Sequence, residues 1–309
     1  MNAQKTPALA ARGLTKHFGP VAAVRGIDLT VSAGTVAALI GPFGAGKSTV
    51  LRLLLGLSQP TSGTVELHGP ARGMLAPRGL HPGLTARDHL RGYAAAVRLP
   101  DERVDQVLGL VGLEERAAAR IKMLAPGERT RLALATVLLD DPRVLLLDEP
   151  FDGLDPTERA RLHDLLRRHA RRGGSALLTG ESLAAALPAA DQVIVLSAGT
   201  VTYQGTPTRL RRNHPDRLVV AASTPIALAT MLAARGYTDA VMRPDGRLAI
   251  AEASEAQIRD AAIAAGVRID AILADPIHPD RVLAGLTKTA VPSAIPAGVA
   301  PPQPYGIPR

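Results

Sequence analysis

The chain has 309 residues, which at roughly 150 residues per domain predicts about two domains. Hydrophobic residues make up 46%, which excludes a wholly disordered chain, and the absence of cysteine excludes disulfides, thiolate metal sites and cysteine nucleophiles. The net charge of +8 rests on arginine far more than on the five lysines; with three Phe, four Tyr and no Trp the chain lacks base-stacking platforms, so no nucleic-acid partner is expected.

The first residues carry no charged-then-apolar leader. The longest uncharged apolar-looking run, 218–234, is interrupted by Ser223, Thr224 and Pro225 and falls short of a membrane span. The expectation is a chain that is cytoplasmic, or peripheral on a membrane that some other chain crosses.

In chain order, residues 27–31 and 35–40 read as β-branched strands with a turn at Gly34 between them. Gly41-Pro42-Phe43-Gly44-Ala45-Gly46-Lys47-Ser48-Thr49 follows, and 47–57 reads as a helix with Leu at 51, 53, 54 and 55. This is the G-x-x-x-x-G-K-[ST] phosphate loop, Walker A, between a strand and a helix. Glycines let backbone N–H groups converge on phosphate oxygens, and the helix start adds the positive end of its dipole. Gly41, Gly44, Ala45, Gly46, Lys47, Ser48 and Thr49 are therefore assigned to a nucleotide. Lys47 would reach the β- and γ-phosphates, and the Ser48 hydroxyl would ligate Mg²⁺.

Helices are expected over 87–97, 104–111 and 129–139, the last stopped by Asp140-Asp141-Pro142. Residues 144–147 form a continuous aliphatic run, as in a strand buried on both faces. The run ends in Asp148-Glu149. Asp148 would hold the Mg²⁺ shell, as a Walker B aspartate does, and Glu149 would orient or deprotonate the attacking water as the catalytic base. Pro156 opens a helix to about 171, and 176–178 and 193–196 read as two more buried strands. The alternation predicts an α/β fold with a mostly parallel sheet. The six arginines of 159–172 read as a solvated helix face, with anionic lipid headgroups as the sharper alternative.

Residues 214–309 carry nine basic and nine acidic side chains, so the whole charge excess lies before them. A polar stretch over 211–215, ending in Pro215, reads as a linker. Strand 218–222, helix 225–235, strand 240–242, strand 248–251, helix 255–265 and strand 268–273 then follow, the split βαβ order of a small α+β ferredoxin-like domain. From about residue 289 the tail is rich in Pro and Ala and is expected to be extended or disordered. The expected units are 6–213, 216–288 and 289–309.

With Walker A, Walker B and the following Pro150-Phe151-Asp152-Gly153-Leu154-Asp155-Pro156, residues 6–212 resemble the nucleotide-binding subunit of an ABC transporter. The resemblance implies a P-loop NTPase fold, ATP and Mg²⁺ as cofactors, and ATP hydrolysis. It also implies a second ATP-binding subunit in a homo- or heterodimer and a separate membrane permease that this chain serves from the inner face. Gly153-Leu154-Asp155 resembles the loop that touches the opposite subunit, and Phe18 resembles the aromatic that stacks on adenine. The C-terminal region resembles the small domain of ATPases serving drug- and antibiotic-exporting permeases, which implies export, and the segment 81–88 is also similar to that group.

Three positions depart from the family pattern. The signature loop, normally LSGGQ, reads Leu124-Ala125-Pro126-Gly127-Glu128: Ala125 has no hydroxyl and Pro126 no backbone N–H. The switch histidine aligns with Glu181, which when ionised can only accept hydrogen bonds and would repel a γ-phosphate. The loop glutamine that senses Mg²⁺ aligns with Ala76. ATP binding is thus expected to survive, with slow hydrolysis by a homodimer or completion of the site by a partner whose signature is intact.

Overall fold

The computed structural model describes residues 7–275 and 278–288. β1 (Pro7–Phe18) and β2 (Val21–Ser32) form an antiparallel pair, and β4 (Ser62–Leu67) adds to the other side of β1, giving the order β2-β1-β4. Gly34, in a left-handed conformation, then leads into β3 (Val36–Ile40). The strands predicted on either side of Gly34 are therefore not a hairpin. β3 leaves the first sheet and enters the middle of a second.

That second sheet has the order β5-β6-β7-β3-β8-β9. β5 (Ala71–Met74), β6 (Val144–Leu147), β7 (Ser175–Gly180), β3 and β8 (Gln192–Ser197) run parallel; β9 (Thr200–Gly205) pairs antiparallel at the edge. Every residue of β3, β6 and β7 is buried, because both faces are covered. Val36, Ala38, Ile40, Leu145 and Leu147 face a core shared with the helices, whereas Ala37, Leu39, Val144 and Leu146 face one shared with β1 and β2. The two-residue period of a strand separates the two cores.

α1 (Lys47–Leu54) lies on the β1–β2 side, with Leu51 and Leu54 buried there. On the other side stand α2 (Ala86–Ala96), α3 (Asp101–Leu110), α4 (Pro126–Leu138) and α5 (Pro156–Arg171), through side chains such as Leu90, Val104, Leu132 and Leu166. α4 starts three residues before the expected 129, so Pro126 and Gly127 belong to its first turn rather than to a loop. Proline's fixed φ suits that position, and the Glu128 carboxylate accepts from the Ala125 N–H at 2.8 Å.

α6 (Leu183–Ala186) and α7 (Pro207–Asn213) precede the last sheet. There β10 (Arg217–Ala222), α8 (Pro225–Ala234), β11 (Ala240–Met242), β12 (Leu248–Ala251), α9 (Glu255–Ala265) and β13 (Ile269–Asp275) follow one another. The strand order is β11-β12-β10-β13, with every pair antiparallel. Val220, Leu228, Leu248, Ile250 and Ile258 make its own core. α10 (Pro279–Lys288) returns to the main sheet, where Val282 and Leu283 join the helix-side core. Asp280 accepts from the N–H groups of Leu183 at 2.8 Å and Ala184 at 3.3 Å, capping α6. The Pro/Ala-rich tail from 289 lies outside the described residues.

Candidate functional site

β6, β7 and β3 are consecutive in the sheet and parallel, so the loops that follow them meet at one end of the sheet. The loop after β3 is the phosphate loop. Gly46 sits at φ 102°, and a Cβ there would lie 2.4 Å from the Ala23 carbonyl oxygen, so only glycine fits. Gly41 is closed off in the same way: its Cβ would come within 2.1 Å of the Leu196 carbonyl oxygen. Gly44, Ala45, Ser48 and Thr49 line the same cavity, of about 740 Å³.

Lys47 is buried, and its Nζ donates to the carbonyls of Gly41 at 2.8 Å and Pro42 at 3.1 Å. It also stands 3.5 Å from Glu149 Oε1 and 3.8 Å from Glu181 Oε1. This single ammonium is held between two carboxylates.

Asp148 is 1% exposed. Its Oδ1 accepts from Ser48 Oγ at 3.1 Å and Thr179 Oγ1 at 2.7 Å, while Oδ2 is buried with no hydrogen-bond partner among the described residues. A buried carboxylate oxygen left unpaired is costly. Beside the Ser48 hydroxyl it offers the hard oxygen donors that Mg²⁺ prefers, so the two residues fit that ion.

Glu149, the next residue, has φ 47° and donates its N–H to Thr179 Oγ1 at 3.0 Å. Burial pushes its carboxyl above the ordinary range; Lys47 opposes this, and the like charges of Glu181 and Asp148 add to it.

The remaining predicted positions divide. Glu181, just after β7, lines the cavity and stands 3.8 Å from Lys47 Nζ. Ala76 lines the cavity from the loop after β5. Phe18 is 53% exposed at the end of β1, beneath Lys16 Nζ at 5.1 Å from the ring centroid, and is not among the cavity-lining residues. Ala125 and Pro126 are exposed, and Arg129 donates to the Lys122 carbonyl at 3.0 Å. Arg129 is thus engaged with its own loop.

Three contributors escape sequence reasoning. Thr179 hydrogen-bonds both Walker B residues from the neighbouring strand. Arg78 donates to the carbonyls of Asp148 at 2.6 Å and Glu149 at 2.8 Å. Arg159, read as part of a solvated face, lines the cavity at the start of α5. A capping box at Asp155 and Glu158 starts that helix just before Arg159.

Comparison with known proteins agrees with this geometry. The ABC transporter family profile matches residues 24–152. The aliphatic sulfonates import ATP-binding protein SsuB of Corynebacterium glutamicum is 39% identical over 218 residues, spanning 68% of this chain and 89% of that protein. The Nod factor export ATP-binding protein I of Rhizobium meliloti is 35% identical over 224 residues, spanning 67% of each. Among solved structures, an ATP-binding subunit of an ABC transporter superposes with a TM-score of 0.61 at 26% identity, over 67% of this chain and 92% of that one. A dimeric ATP-binding cassette bound to ADP and Pi shares the fold, with a TM-score of 0.60 at 21% identity, over 64% of this chain and 98% of that one. The chain belongs to the ABC transporter family, as an ATP-binding subunit with the P-loop ATPase fold.

Proposed function

We propose that this chain binds MgATP and hydrolyses it to drive a separate membrane permease of export type. One observation carries the reading: buried Asp148 has Ser48 on one oxygen and, among the described residues, no hydrogen-bond partner on the other, next to a Glu149 that reaches Lys47. The phosphate tail would lie along the amides of 44–49, with Lys47 leaving its carboxylates for the β- and γ-phosphates. Mg²⁺ held by Ser48 and Asp148 would supply charge neutralisation across the phosphates. Glu149 accepts the proton of a water directed in line at the γ-phosphorus. Phe18, set on the exposed hairpin, is the proposed adenine platform.

Turnover by two copies of this chain would be slow. Two donors to the γ-phosphate are missing at Ala125 and Pro126, and hydrogen bonds to charged groups contribute about 1.5–3 kcal/mol each. The expected loss is about 10²–10⁴ in rate. A partner subunit with an intact signature would complete the site built on Lys47 and Glu149. The contact of Glu181 with Lys47 favours a second reading, in which the chain binds ATP and regulates with little turnover of its own.

Relatives named for import and for export both match the ATP-binding region, so the export reading rests on the C-terminal resemblance. We read 6–213 as the ATP-binding domain and 216–288 as a ferredoxin-like accessory domain, whose last helix docks on the first. Among the described residues no helix is long and apolar enough to cross a membrane, and the crossing is assigned to the permease, with this chain on its cytoplasmic side. The test is calorimetric titration of the full chain with MgATP. Binding heat that disappears in Lys47→Ala is expected; absence of Lys47-dependent heat in the wild type refutes the proposal.

A further inference from the structure

We propose that Arg78 is the positioning residue for Glu149, holding the catalytic turn through its backbone from the loop that lacks the family glutamine. This rests on the reading of Glu149 as general base. Glu149 occupies the left-handed region at φ 47°, where residues other than glycine are uncommon and need support from their surroundings. Support comes from both ends of the residue. Thr179 accepts from its amide at 3.0 Å, and Arg78 takes its carbonyl at 2.8 Å together with that of Asp148 at 2.6 Å.

The side-chain chemistry is specific. Two adjacent carbonyls accept from the two terminal nitrogens of one planar guanidinium, which fixes their separation and plane. A lysine ammonium is a point donor without that geometry. The guanidinium is partly desolvated, and Asp152, Asp148 and Glu149 supply the negative field that keeps it charged. Nothing else in the loop does this work: Ala76 has no polar side chain, and its carbonyl is held by Arg52 of α1 at 3.0 Å.

The same loop faces outward. Pro77, Arg78 and Gly79 line a surface groove of about 440 Å³ with Tyr93, Val97 and Thr136. Arg78 therefore spans from the groove wall to the catalytic turn. Displacement of the loop would be felt at the Glu149 backbone, and an error of about 1 Å in the base costs on the order of 10²-fold in rate.

The experiment compares Arg78→Ala and Arg78→Lys with wild type in the full chain. It reads MgATP affinity by calorimetry, the thermal midpoint, and single-turnover hydrolysis with protein in excess. Arg78→Ala is expected to bind MgATP within about twofold of wild type yet to hydrolyse it about 10- to 100-fold more slowly. Arg78→Lys should fall between. In a Glu149→Gln background, Arg78→Ala should add no more than about twofold, since a residue acting through Glu149 has nothing left to position. Wild-type turnover in either variant overturns the proposal, as does a full-sized further loss in the Glu149→Gln background. If Arg78→Ala fails to fold, Arg78→Lys decides alone. A wild type without Lys47-dependent MgATP binding, or with turnover undiminished by Glu149→Gln, overturns the underlying reading instead.

Discussion

Replacing Glu181 by glutamine removes one negative charge 3.8 Å from Lys47 Nζ while keeping the side chain's size. Two unit charges at about 4 Å interact by about 1 kcal/mol in water and about 4 kcal/mol at an effective dielectric of 20. Glu181 is 54% exposed, which places its effect toward the lower end, at roughly 1–2 kcal/mol. The sign follows from the chemistry. An ionised carboxylate cannot donate to a γ-phosphate; it repels one, and it competes with ATP for Lys47. Glu181→Gln should therefore tighten MgATP binding by about 5- to 30-fold. ADP has no γ-phosphate, so its affinity should rise much less, which makes the ATP/ADP ratio the diagnostic quantity. Calorimetry with both nucleotides on both proteins measures it. An unchanged ratio, with ATP and ADP affected equally or not at all, would refute the placement of Glu181 against the terminal phosphate.

With Glu149 as the proposed base, burial that raises its carboxyl pKa should set the acid limb of hydrolysis, because a general base works only when ionised. Activity should fall with decreasing pH through a value above the ordinary carboxylate range, and Glu181→Gln, by removing a like charge, should move that limb to lower pH; a pH–rate profile of the two proteins checks this. Thr179→Val deletes the donor to Asp148 and the acceptor for the Glu149 amide at almost constant volume. A loss of about 1–3 kcal/mol in denaturant unfolding is expected, with weaker Mg²⁺ dependence of ATP binding. Asp280→Ala uncaps α6 and frees the N–H groups of Leu183 and Ala184, for a loss of about 1 kcal/mol in the same assay, with no comparable effect expected from Asp245→Ala on the remote turn before β12.

The sequence by itself determined the local chemistry of this protein. Glycines at 41, 44 and 46, a lysine and two hydroxyls make a phosphate loop because the spacing along one strand–turn–helix is a short-range property. The aliphatic run at 144–147 announces a doubly covered strand for the same reason, and the β-α-β-β-α-β order after residue 216 is readable from local periodicity. Tertiary structure alone decided which distant groups meet. Strand order sets β7 between β3 and β6, so that Asp148, Thr179 and Glu181 converge on Lys47 and Ser48 from as far as 134 residues away in the chain. It also separated 27–31 from 35–40 into different sheets, set Arg78 on two carbonyls, and returned the helix at 279–288 to the main core. Hydrophobic periodicity says that a segment is buried and on which face. It carries no information about which buried neighbour lies alongside, because that choice is made by competition among all the packed layers at once.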